Sequence, residues 1–154
     1  MSEEKEYPSL KEFFKNIGLE VREVKPRRYQ LFVDPDKLPD VVKKLIDAYD
    51  GQVYLSTIAA VDFIDEKVFE LNYDMSVIPL RCVLILKTRV PRDKPKAPSL
   101  VSVLPGARPH EAEVYDLLGI EFEGNPYLEK PFLLPKELAN EYPLRKDWKG
   151  PGKP

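Results

Sequence analysis

Apolar positions along the chain fall into two periodicities. Leu10, Phe13, Phe14 and Ile17 recur at the spacing of one helical face within residues 9–17, with Ser9 placed to cap the start and Gly18 just past the end. Leu38, Val41, Val42, Leu45, Ile46 and Tyr49 repeat that spacing over 36–49, between Asp34-Pro35-Asp36 and Asp50-Gly51, and predict a second amphipathic helix. Between the two, Leu19 to Val24 alternates imperfectly and Tyr29 to Val33 is a run of strand formers; the Lys25-Pro26-Arg27-Arg28 step joins them as a hairpin. Three longer runs of β-branched and aromatic residues follow, Gln52 to Phe63, Val68 to Met75 and Leu80 to Val90. Their separators, Ile64 to Lys67 and Ser76 to Pro79, are short enough to predict an antiparallel meander. The segment Arg81-Cys-Val-Leu-Ile-Leu-Lys87 is almost continuously apolar, which predicts a strand pressed between neighbours and covered on both faces.

After Val90 the texture changes. Of the 16 prolines only five lie in residues 1–90 and eleven in the remaining 64. Pro91 to Pro98 reads as a loop and Ser99 to Leu104 as a short helical turn. Residues 109–118 read as a helix, with Pro109 at its first position, Glu111 and Glu113 near its positive end and Gly119 closing it. From Ile120 onward no stretch is long enough for an element, yet Phe122, Tyr127, Phe132, Leu133, Leu134, Tyr142, Leu144 and Trp148 are costly to leave in water. This segment reads as an extended arm laid against its own domain or another chain. The fold expected is α+β: a mixed or antiparallel sheet covered by the N-terminal helices over 1–104, a helix region over 105–119, and a proline-rich arm over 120–154.

Length and composition narrow the function. The 154 residues suit one domain, since domains run to roughly 100 to 200 residues. With 24 Lys and Arg against 26 Asp and Glu, the chain has no electrostatic footprint for nucleic acid. It has no long apolar run of transmembrane length, and the acidic start Met1-Ser-Glu-Glu is unlike a signal peptide. The 16 Lys and 15 Glu against 2 Gln and 1 Cys match the bias of hyperthermophile proteins.

One cysteine and one histidine cannot make an internal disulfide, a Cys/His zinc site or an iron–sulfur cluster. Cys82 sits in an apolar strand, where a thiol is inert, and His110 stands at the start of a helix whose dipole disfavours its protonation. Glu113 and Asp116, at i and i+3, face the same way and with Glu111 form a carboxylate cluster. Such a cluster serves either general acid/base chemistry or a solvated helical face. There is no dinucleotide, phosphate-loop or metalloprotease motif. The residues themselves assign no catalytic, cofactor-binding or metal-binding role.

The run His110-Glu-Ala-Glu-Val-Tyr-Asp-Leu-Leu-Gly-Ile-Glu-Phe-Glu-Gly-Asn-Pro126 resembles the signature of the 30 kDa family of respiratory complex I and related membrane-bound hydrogenases and sulfur reductases. The family pattern is Glu-Arg-Glu-x-x-Asp-hydrophobic-x-Gly-Ile-x-Phe-x-Gly-His-Pro. The likeness extends forward to Tyr142-Pro-Leu-Arg-Lys-Asp-Trp148 and back through Ala97-Pro-Ser-Leu and Val61-Asp62-Phe63. Three positions depart: Ala112 stands for the signature arginine, Asn125 for the histidine before proline, and Glu129 for a usual arginine. These departures point to a branch such as an energy-converting hydrogenase or a sulfur or quinone reductase, with a true NADH–quinone enzyme as the alternative.

The resemblance implies a noncatalytic peripheral-arm subunit without a cofactor of its own. Its partners would be a large [NiFe]-hydrogenase-like subunit of the 49 kDa type and a neighbouring iron–sulfur subunit. Iron–sulfur clusters and, in a hydrogenase, a nickel–iron centre would sit in those partners, and membrane contact on the cytoplasmic face would come only through the complex. It further implies that Glu111, Glu113, Tyr115, Asp116, Gly119, Arg145, Asp147 and Trp148 carry the contacts between subunits. Two rival readings are a freestanding binding module and a small hydrolase working through the 111–116 carboxylates.

Overall fold

The structure is a computed structural model and describes residues 4–152. Residues 1–3 of the acidic start and the last two residues of the arm lie outside the described residues. Helix α1 spans Leu10–Asn16, and Ser9 caps it by accepting the Glu12 N–H at 3.2 Å. Strands β1 (Arg22–Lys25) and β2 (Arg28–Phe32) form the expected hairpin. A turn of 3₁₀ helix over Pro35–Lys37 leads into α2 (Leu38–Ala48), which buries Leu38, Val41, Val42 and Leu45. Strands β3 (Val53–Phe63), β4 (Val68–Val77) and β5 (Cys82–Pro91) are the meander.

The five strands are ordered β1-β2-β5-β4-β3. The β2–β5 pair is parallel and the others antiparallel, so the sheet is mixed. The register sets one row of side chains facing the helices. Ile58, Tyr73 and Leu86 lie side by side, as do Leu55, Met75 and Leu84, and all are buried with Phe14, Leu38 and Leu45 in one core. This is the physical meaning of the alternation in β3 and β4: a period of two places every second side chain on the buried face.

Strand β5 differs from expectation. It lies between β2 and β4, but only Cys82, Leu84, Leu86, Thr88 and Val90 are buried, while Val83, Ile85 and Lys87 are half-buried. The continuous apolar run reflects a central strand with one covered face, whose other face is shielded only by its neighbours in the sheet.

Past the sheet, β6 (Lys96–Pro98) pairs in parallel with β7 (Glu121–Glu123), enclosing α3 (Ala107–Leu118). Helix α3 begins two residues earlier than Pro109, which sits within the first turn, where a missing N–H costs nothing. It packs on β3 and, with Ile120 and Phe122, sends Val114 and Leu118 into the same core. The three-residue β7 was too short to stand out from its sequence, although Glu121-Phe122-Glu123 does alternate and buries only Phe122.

Candidate functional site

The carboxylates of α3 do not act as a group. Glu111 and Asp116 are completely buried, whereas Glu113 is exposed. Residues three apart on a helix diverge by about 60°, enough to straddle the edge of the buried face, so Glu113 and Asp116 point to different surroundings. Glu111 accepts hydrogen bonds from Ser99 Oγ at 2.7 Å, the Leu100 N–H at 2.7 Å and Asn125 Nδ2 at 2.9 Å. Burial pushes its pKa up, and these three donors offset that only in part. Asn125, one of the departures from the family pattern, thus works as a donor to a buried carboxylate.

Asp116 faces the arm. Its Oδ2 accepts the N–H groups of Leu133 at 2.8 Å and Leu134 at 2.9 Å. A second carboxylate, Asp62 near the end of β3, holds the last part of the arm. Its Oδ2 accepts the Lys146 N–H at 2.9 Å, and both its oxygens accept from Arg92, at 2.9 and 3.0 Å. Arg92 also donates to Asp147, at 2.8 Å and 3.3 Å. Burial of Asp62 opposes its charge, but Arg92 and the Lys146 N–H more than compensate and hold its pKa below the ordinary carboxylate range. The Arg92 hydrogen bonds lower Asp147 in the same way.

Between these anchors cations and aromatic rings alternate. The Lys130 ammonium lies 4.0 Å from the Tyr115 ring centre and 4.5 Å from that of Tyr142. The Arg145 guanidinium lies 4.4 Å from Tyr142 and 5.5 Å from Phe69, and Arg92 is 5.5 Å from Phe69. Arg145 Nε also donates to the Leu118 carbonyl at 2.8 Å. Gly119 ends α3 in the left-handed region, at φ +79°, and a Cβ there would stand 2.8 Å from both Arg145 Nη2 and the Tyr142 ring. Glycine is therefore required twice, by the helix end and by the arm lying across it.

Of the eight residues expected to carry contacts between subunits, Glu111, Tyr115, Asp116, Gly119, Arg145 and Asp147 are engaged in contacts within this chain. Trp148 is half-buried, with its backbone N–H donated to the Arg145 carbonyl at 3.1 Å, and Glu113 points outward. Sequence reasoning missed Arg92, Lys130 and Tyr142 as members of the clasp. The one signal for Arg92 was Asp62, an acid at a core-facing register position of a strand, which demands a partner; Lys130 and Tyr142 had none. The arm keeps its polar backbone inward and turns apolar side chains out: Tyr127, Phe132, Leu133 and Leu144 are between 47% and 60% exposed.

Cys82 is buried, and burial pushes its thiol up, away from reactivity. Among the described residues no three His, Cys, Asp or Glu converge as a metal-binding group. No helix among them is long and apolar enough to cross a membrane.

A family model described as the respiratory-chain NADH dehydrogenase 30 kDa subunit matches residues 31–154. The C-type subunit of the F(420)H(2) dehydrogenase of Methanosarcina mazei is 38% identical over 125 residues, covering 81% of this chain and 78% of that protein. The C-type subunit of the NADH-quinone oxidoreductase of a Roseiflexus species is 35% identical over 119 residues, covering 76% of this chain and 67% of that protein. Among solved structures, a chain of a membrane-bound sulfane sulfur reductase, an archaeal respiratory membrane complex, superposes with a TM-score of 0.83 at 29% identity, covering 91% of this chain and 83% of that one.

Proposed function

The chain belongs to the 30 kDa subunit family of respiratory-chain NADH dehydrogenase, and from that premise we propose that it is the 30 kDa-type subunit of a membrane-bound, complex I-related oxidoreductase. Its role there is noncatalytic: it holds the large, 49 kDa-type [NiFe]-hydrogenase-like subunit in place beside an iron–sulfur subunit. Those partners carry the iron–sulfur clusters, and a nickel–iron centre where the complex is a hydrogenase. The module moves electrons from a reduced carrier to an acceptor, coupled to ion translocation, on the cytoplasmic face of the membrane. The likeness to an F(420)H(2) dehydrogenase subunit and to a sulfane sulfur reductase chain supports the reductase branch, and the likeness to the C-type subunit of an NADH-quinone oxidoreductase supports the alternative, a true NADH–quinone enzyme.

The observation that carries the reading is the division of labour in the arm. The body's Asp116 and Asp62 take its amide N–H groups, its own Lys130, Arg145 and Asp147 fasten it to the body, and beyond Ile120 and Phe122, which join the core, its Tyr127, Phe132, Leu133 and Leu144 are turned out. An active site needs polar groups free to meet a substrate, whereas a docking element needs exposed apolar anchors on a fixed backbone. The hydrolase reading fares poorly because Glu111 and Asp116 are buried, with all their donors coming from this chain.

Removing the whole arm is a poor test, since Ile120 and Phe122 belong to the core. The better variant is Leu133→Ser with Leu144→Ser in a tagged chain expressed in the source cells. Its expected behaviour is an unchanged circular dichroism spectrum and melting temperature for the isolated chain, with loss from the membrane complex on native gels. Normal incorporation would overturn the docking role. Glu113→Gln in a complex that still assembles should leave turnover unchanged; loss of turnover there would restore the catalytic alternative.

A further inference from the structure

One surface feature is not used by the clasp. Where the first turns of α3 meet the start of the arm there is an open cleft of about 150 Å³ lined by Arg108, Pro109, Ala112, Tyr127, Glu129 and Phe132. Ala112, almost wholly buried, is at its base. Tyr127 and Phe132 are each 47% exposed, unusual for two aromatic rings so close together. Its volume is the size known to hold a benzene ring in an apolar cavity.

The charges of the cleft are unspent. Arg108 lies over the Tyr127 ring, its guanidinium carbon 3.9 Å from the ring centre, and its guanidinium N–H donors enter no hydrogen bond or ion pair among the described residues. Neither Arg108 nor Glu129 enters an ion pair among the described residues. An apolar hollow with one charge of each sign beside it has the make-up of an interface anchor point, with an aromatic centre and a polar rim.

We propose that this cleft is a socket for one large apolar side chain, aromatic or leucine-like, projected by an amphipathic segment of a neighbouring subunit, an acid of that segment meeting Arg108 and a base meeting Glu129. The inference rests on the subunit reading above and adds the chemistry of the contact. A second copy of this chain is the rival occupant, and cross-linking separates the two. Ala112 sets the size of the hollow, because any longer side chain at that position would fill it.

The test uses the tagged chain in its membrane complex, with Phe132 replaced by the photo-reactive p-benzoylphenylalanine. Irradiation followed by peptide mapping should place the cross-link on another subunit, within a few residues of a large apolar side chain flanked by an acid and a base. Two further variants read the energetics: Ala112→Leu, which fills the hollow, and the exchange Arg108→Glu with Glu129→Arg, which reverses the rim and touches only exposed side chains. Each should lower retention of the chain in salt-washed complex by about tenfold, the effect of losing one anchor contact. Unchanged melting of the isolated charge-exchange variant separates this loss from misfolding. A cross-link to a second copy, a cross-link to no protein, or full retention of the charge-exchange variant would overturn the socket while leaving the subunit reading intact. Absence of the wild-type chain from any complex would overturn both.

Discussion

Gly119→Ala puts the seating of the arm on a measurable scale. Two costs separate cleanly at this position. The first is conformational: alanine at φ +79° is in the left-handed region and loses about 1–2 kcal/mol relative to glycine. The second is steric, since the new Cβ would stand 2.8 Å from Arg145 Nη2 and from the Tyr142 ring. Both are ends of side chains, but neither is free to swing away: Arg145 Nε is held by the Leu118 carbonyl, and the Tyr142 ring lies between Lys130 and Arg145. Moving them forfeits a charged hydrogen bond of about 1.5 kcal/mol and a cation–aromatic contact of about 0.5–1 kcal/mol. Gly18→Ala is the matched control, because Gly18 has the same φ of +79° and no atom within 4 Å of its Cβ position. In urea denaturation, Gly119→Ala should cost about 2 kcal/mol more than Gly18→Ala, a further midpoint shift of about 1 M for a slope near 2 kcal/mol per M. The excess should disappear when Tyr142 and Arg145 are both alanine, since the added Cβ then meets nothing. If Gly119→Ala costs no more than the control, or if the excess survives in that background, the arm does not lie across the helix end as described.

The other predictions address buried polar groups. Tyr73 is completely buried and its hydroxyl has no hydrogen-bond partner, so Tyr73→Phe should stabilise the chain by about 1 kcal/mol in urea denaturation; a loss of that size would show that the hydroxyl is satisfied. Arg92→Gln removes the main partner of Asp62 and should cost about 2 kcal/mol at neutral pH. Because the folded-state pKa of Asp62 is lowered, the stability it contributes is present above the ordinary carboxylate range and lost as pH falls through the lowered value; the variant should therefore begin acid unfolding at a higher pH, and an unchanged acid limb would count against the clasp. Glu111 has the opposite sign. Its raised pKa makes its contribution fully present below the ordinary value of 4.5 and lost as pH rises through the raised one, so the stability of wild type relative to Glu111→Gln should fall over that window, and a constant difference would refute it.

The body of the fold was legible because local pattern and tertiary packing agree there. Ser9, Pro35 and Gly119 mark helix ends by side-chain or backbone chemistry that depends on near neighbours alone. The parallel pairing of β2 with β5 and of β6 with β7 was less accessible, since strands joined through long connections leave no turn signal between them. The signature segment was legible as a resemblance while its chemistry was not. Glu111, Glu113 and Asp116 look alike in sequence, and only the position of each around α3, together with the arm that folds over one side, separates two internal anchors from one surface acid. Asp62 and Arg92 stand 30 residues apart and meet Lys146 only because β3 and the arm share one end of the sheet.

A single rule explains why a proline-rich arm can be fixed without a ladder. Proline has no N–H, and past β7 the described part of the arm forms no strand, so its remaining amides need other acceptors where they are shielded from water. A carboxylate supplies two strong acceptor oxygens at one point, and here three of the buried acids serve the amides of chain segments distant in sequence. Glu111 takes the Leu100 N–H, Asp116 takes those of Leu133 and Leu134, and Asp62 takes that of Lys146. Charge-assisted bonds of this kind are about twice as strong as neutral ones, which suits a segment that has few of them. Two of the three acids that make the signature look catalytic, Glu111 and Asp116, are consumed as clamps, and the exposed apolar side chains are what the arm has left to offer a partner.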